Sequence, residues 1–213
     1  NNNLSKIKSH IPVPTYDMKQ LKTGIVHIGV GGFHRSHQDY YIHQLLQKGG
    51  AKDWAICGVG LREADRNMAN VLTKQDGLYT LVTQYPNGKA ESEVIGSIME
   101  YLLAVDDPQL VIDKMAHPDT KIVTLTITEG GYNFNPITGD FNFEKPDIQD
   151  ELVNPKEPKT VYGYITAALR IRRKQGSLPF TILSCDNIQH NGDMARKMLL
   201  TFAKRQNTEL AEW

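Results

Sequence analysis

The chain has 213 residues, which suits one large domain or two small ones, with room for a substantial core. Hydrophobic residues make up 40% and charged residues 23%, and Lys+Arg 24 against Asp+Glu 24 leaves no global attraction to nucleic acid or an anionic membrane. No apolar run reaches the length of a signal peptide or a membrane span, and the two cysteines, Cys57 and Cys185, sit in apolar surroundings that suit a reduced, cytoplasmic setting.

Residues 1–22 are polar, carry Pro12 and Pro14, and read as a surface leader. "GIVHIGV" (24–30) is an apolar run stopped by glycine and predicts a buried strand. Residues 33–48 follow as a helix, with Tyr40, Tyr41, Leu45 and Leu46 at helical spacing and Gly49–Gly50 closing it. "WAICGVGL" (54–61) predicts a second strand and residues 63–73 a second helix. "LYTLVTQY" (78–85) and the turn "PNGK" predict a hairpin, with "SEVIGSIMEYL" as an antiparallel return strand. Asp107 is a candidate cap for a helix over 107–116, and "KIVTLTIT" (121–128) is another buried strand. Residues 133–160 read as an excursion loop. A helix (161–174), a strand (180–185) and a last helix (193–206) complete the chain, with "RIRRK" expected as solvated last turns. The alternation predicts an α/β fold: a Rossmann-like, doubly wound, mostly parallel sheet with an antiparallel insertion.

The candidate site opens at "GVGGFHR". Gly29 and Gly31 fill the first two positions of G-x-G-x-x-G, after the first strand and before the first helix. The first glycine permits the tight turn and the second lets backbone approach a pyrophosphate. Val30 lies between them, and Gly32, Phe33 and His34 would offer backbone N–H groups, with Arg35 next along the turn. His34 replaces the third glycine, so the helix should stand away from the strand or the imidazole should face the ligand. Metal binding by His27, His34, His37 and His43 is the alternative, but no carboxylate or cysteine completes an obvious set. After the second strand, Glu63 and Asp65 could accept from an adenosine ribose, which favours NAD. Arg62 and Arg66 could instead accommodate the 2′-phosphate of NADP. Thr128 and Glu129 end one strand, and Asp186 and Asn187 another. Asn187 could hold an oxyanion or form an Asx turn, with Asn191 or Asp193 capping the last helix.

"GVGGFHRSHQ", "WAICGVGLREADRNM", "QDGLYTLV", "TITEGGYN" and "SCDNIQHNGDMARK", in that order over residues 24–203, resemble the polyol-specific long-chain dehydrogenases. That family includes mannitol 2-dehydrogenases and the fructuronate and tagaturonate reductases, and "CGVGL" and "TEGGYN" look more like the mannitol branch. The resemblance implies NAD(P)-dependent interconversion of a polyol and a 2-ketose, without metal. It places Gly29, Gly31, Phe33 and His34 in the cofactor turn and Asp65 at the ribose. It makes Asn187 an oxyanion holder and puts Glu129 at the active-site edge. The family's base is a lysine in a K-x4-N-x2-H pattern on a second, helical domain. No such pattern occurs in these residues. The expectation is therefore a cofactor domain (1–213) whose partner is a C-terminal catalytic domain of the same protein. Hexuronate reduction and a non-catalytic dinucleotide-binding module remain the alternatives.

Overall fold

The computed structural model describes residues 3–213; residues 1 and 2 of the leader lie outside them. The described residues form seven strands: β1 (Thr23–Ile28), β2 (Ala55–Gly60), β3 (Tyr79–Gln84), β4 (Ala90–Ile95), β5 (Ile98–Leu103), β6 (Ile122–Leu125) and β7 (Thr181–Ser184). Five make a parallel sheet in the order β5-β2-β1-β6-β7, and β3 and β4 form a separate antiparallel hairpin. The strand order reverses between β1 and β6, the switch point of a doubly wound sheet.

The helices are α1 (Leu4–Ile7), α2 (Gly32–Ser36), α3 (Gln38–Gln47), α4 (Arg66–Lys74), α5 (Pro108–Ala116), α6 (Thr128–Gly131), α7 (Pro146–Val153), α8 (Val161–Lys174), α9 (Asn191–Gln206) and α10 (Thr208–Glu212). Asp107 caps α5 as expected, accepting from Leu110 N at 3.0 Å. The core lies between the sheet and α5, α8 and α9, around Val26, Val123, Met115, Ile165 and Phe202. The leader straps across α3 and the hairpin: Tyr16 OH meets His43 Nδ1 at 2.7 Å, and Val94 N donates to Pro12 O.

Five local expectations change. The helix expected over 33–48 breaks at His37, because Ser36 Oγ donates to Gly32 O and His37 Nδ1 meets Phe33 O, each at 2.8 Å, competing with the helical ladder. "SEVIGSIMEYL" is two strands rather than one. It turns at Gly96–Ser97, and its second half becomes β5 at the edge of the parallel sheet. The excursion over 133–160 contains α7, held because Phe141 and Ile148 bury themselves in the core. Arg172 of "RIRRK" is buried; its guanidinium donates to the carbonyls of Leu178, His117 and Thr120 and so closes the α8–β7 connection. Neither Asn191 nor Asp193 caps α9. Asn191 Nδ2 instead donates to Ser184 O and Asp186 O, fixing the end of β7.

Candidate functional site

A cleft of about 590 Å³ opens at the switch point. Gly29, Val30 and Gly31 form one wall, Leu61, Arg62 and Asp65 a second, and Thr126, Ile127 and Thr128 a third; Lys145, Asp147 and Lys159 reach in from the excursion.

The two glycines of the turn have different reasons for lacking a side chain. Gly29 has φ +98°, and a Cβ there would lie 2.1 Å from Thr126 O, so the fold itself requires glycine. Gly31 has an ordinary φ of −116°, and its Cβ would meet nothing nearer than Gly29 O at 3.8 Å. The fold does not need glycine at 31, so the open cradle there suits an approaching ligand. The first N–H groups of α2 have no helical partner. Because α2 is only five residues long, these individual donors matter more than a macrodipole.

His34 does not line the cleft. Its ring is buried and stacks on His27 of β1, centroids 3.4 Å apart and planes within 9°. It thus spaces α2 from the strand, where a third glycine would permit contact. Burial pushes its pKa down to about 3, so the imidazole is neutral. Phe33 is exposed, and Arg35 lies beneath the turn against Tyr79 and Met68. The histidines do not assemble into a set: His43 sits between Tyr16 and Glu93, and His37 is exposed. Among the described residues no group of three or more His, Cys, Asp or Glu is placed to hold a metal.

At the end of β2, Asp65 lines the cleft while its Oδ2 accepts from Arg62 N at 3.0 Å. Glu63 and Asp106 both grip Arg66, which holds the two carboxyls below their usual range. Arg66, paired with both carboxyls, does not line the cleft, whereas Arg62 does.

At the end of β6, Thr128 adopts φ 61°, a strained value for a non-glycine residue. Asp186 holds it there, accepting from Ile127 N and Thr128 N at 3.0 Å each and from Tyr132 OH at 2.8 Å. Sequence reasoning placed Asp186 at a strand end but missed this clamp between β6 and β7. Asn187 and Glu129 are exposed beside it, outside the cleft lining. Lys145 was also missed, since its segment read as loop. It lines the cleft, bonds Asn133 Oδ1 at 2.5 Å and forms no ion pair among the described residues.

The profile of the mannitol dehydrogenase Rossmann domain matches residues 23–213. The chain is 48% identical over 211 residues to a mannitol 2-dehydrogenase of Pyricularia oryzae, covering 98% of this chain and 42% of the relative. It is 51% identical over 218 residues to that of Aspergillus fumigatus, covering 99% and 43%. Among solved structures it resembles the Pseudomonas fluorescens mannitol 2-dehydrogenase ternary complex with NAD and D-mannitol: TM-score 0.96, 48% identity, 100% of this chain and 43% of that one. It also resembles a D-sorbitol dehydrogenase in substrate-free form: TM-score 0.92, 44% identity, 98% and 44%. The chain therefore spans less than half the length of the relatives it matches.

Proposed function

Because the chain belongs to the mannitol dehydrogenase family, as its Rossmann domain, we propose that it binds NAD in the switch-point cleft as the cofactor half of a polyol 2-dehydrogenase. The open cradle at Gly31 carries the reading, because the fold gives no other reason for a bare backbone there. In this account Gly29, Val30 and Gly31 shape the turn, and the N–H groups of Gly32, Phe33 and His34 face the pyrophosphate. Arg35 and Arg62 supply positive charge nearby. Asp65 accepts from the adenosine ribose, and with Arg66 held by Glu63 and Asp106 the preference is NAD over NADP.

When bound, the nicotinamide accepts hydride from a secondary alcohol or returns it to a ketose. Thr128 frames the nicotinamide end of the cleft. Asn187 donates its amide to the substrate oxygen as negative charge develops, and Glu129 borders the substrate. Following the family resemblance, we assign the base to a lysine in a C-terminal domain of the same protein. The substrate pair is mannitol-like and fructose-like, following the relatives. No helix of the described residues is long and apolar enough to cross a membrane, and both cysteines are free, which suits work in the cytoplasm.

Titration with NADH and NADPH, followed by nicotinamide fluorescence, tests the assignment. NADH should bind more tightly, and Asp65→Ala should weaken NADH more than NADPH. A folded chain that binds neither would overturn it.

A further inference from the structure

A continuous line of buried polar groups runs from the cofactor turn to Asp39. Thr126 Oγ1 donates to Gly29 O at 2.6 Å and lies 2.9 Å from His27 Nε2. His27 Nδ1 lies 2.7 Å from Thr124 Oγ1, which donates to Gln38 Oε1 at 3.0 Å. Gln38 Oε1 also meets His34 Nε2 at 3.1 Å, and His34 Nδ1 stands 3.5 Å from Asp39 Oδ2. That Nδ1 is a buried side-chain atom left without a hydrogen-bond partner. Asp39 is itself wholly buried; Ser97 Oγ donates to its backbone carbonyl at 2.7 Å and lies 3.3 Å from Oδ1, and Tyr79 OH, which donates to Arg35 O, lies 3.3 Å from Oδ2.

Burial holds both imidazoles below their usual pKa, so each ring is neutral and carries one proton. With the Gln38 oxygen turned inward, His34 must carry its proton on Nε2, and Thr124 must donate to the amide. His27 then carries its proton on Nδ1, and its bare Nε2 needs the Thr126 proton already given to Gly29 O. A half-turn of the Gln38 amide removes this conflict. Its NH2 then donates to His34 Nε2 and to Thr124 Oγ1, Thr124 donates to His27 Nδ1, and His27 Nε2–H donates to Thr126. Thr126 still donates to Gly29 O, and His34 Nδ1–H points at Asp39. Each hydrogen bond between the turn and His34 then has one donor and one acceptor.

We infer that these residues form a one-directional hydrogen-bond relay, with His27 protonated at Nε2 and His34 at Nδ1, that holds the Gly29 carbonyl and hence the turn that receives the dinucleotide phosphates. Gln38 and Thr124 are positioning residues: Thr124 is buried behind His27 and does not line the cleft. The relay deepens the dinucleotide reading of the cleft and rests on it for its functional consequence.

Long-range ¹H–¹⁵N correlation of histidine-labelled chain reads the tautomers directly. The expected spectrum has His27 as the Nε2–H form and His34 as the Nδ1–H form, neither titrating between about pH 5.5 and 8.5. His27 protonated at Nδ1, or His34 at Nε2, overturns the relay. Thr124→Val keeps the shape but removes the hydroxyl, and Thr124→Ser restores it. The valine variant should lose the single His27 tautomer and weaken NADH about three- to tenfold, the scale of one hydrogen bond, with serine recovering both. A folded valine variant that binds NADH like the parent overturns the link to the turn. If that variant does not fold, the parent's tautomers still decide the relay. A parent that shows the expected tautomers but binds no NADH supports the relay and overturns the cofactor reading instead.

Discussion

Gly29 and Gly31 look equivalent in sequence yet should respond oppositely to the same methyl group. Gly29→Ala must leave φ +98° and displace Thr126 O, so the fold should lose about 2 kcal/mol or more. Gly31→Ala meets nothing closer than 3.8 Å and should change the urea midpoint little. If phosphate approaches that bare backbone, the same variant should weaken NADH by tenfold or more, a loss of about 1.4 kcal/mol. Equal NADH affinity in Gly31→Ala would remove the reason for placing the pyrophosphate there. The glycine positions were legible because turn and ligand both act through local backbone. The course of the His34 ring was not, because its stacking on His27 depends on how the turn folds α2 back over the preceding β1, which no residue pattern records. Arg66 shows the same limit: its pairing with Asp106 spans 40 residues, which no local pattern records.

Elements were legible where period and punctuation agreed, as in β1, β2, α5 and α8, and failed where tertiary contacts decided. The excursion over 133–160 is the clearest case. Its composition reads as loop, yet the buried carboxylate of Glu151 ties α7 to the start of α8. Oε2 accepts from Lys159 N at 2.8 Å and Thr160 N at 2.9 Å, and Oε1 accepts from Thr160 Oγ1 at 2.5 Å. Gly163 makes room for this carboxylate, since a Cβ there would fall 2.0 Å from Oε2. Glu151→Gln replaces one acceptor oxygen by a donor facing these donor groups. It should cost about 1–3 kcal/mol in urea denaturation and speed proteolysis within 133–160. Unchanged cleavage and stability would mean that α7 docks through Phe141 and Ile148 alone.

For the molecule as a whole, buried ionisable groups set how stability varies with pH, although net charge is zero. His27, His34 and His43 have pKa values lowered by burial, so the unfolded chain binds protons below about pH 6.5 that the folded chain refuses. Their contribution is lost as pH falls through that value. Burial acts oppositely on Asp39, raising its pKa from 3.8 to about 8. The folded chain keeps this proton while the unfolded chain releases it, so stability falls as pH rises from about 4 to 8. Above about pH 7 the unfolded histidines are mostly neutral, and the Asp39 effect outweighs theirs, at up to about 1.4 kcal/mol lost per pH unit. Stability should therefore peak near neutrality and decline towards pH 8, where it levels as the folded carboxyl also ionises. Asp39→Asn keeps an oxygen for His34 Nδ1–H and an amide for Ser97 Oγ, yet has no proton to lose. Between pH 6.5 and 8 the parent's urea midpoint should fall relative to that of Asp39→Asn, whose midpoint rises slightly as the unfolded histidines lose their last protons. Parallel curves for the two proteins would show that Asp39 is already ionised in the folded chain at neutral pH.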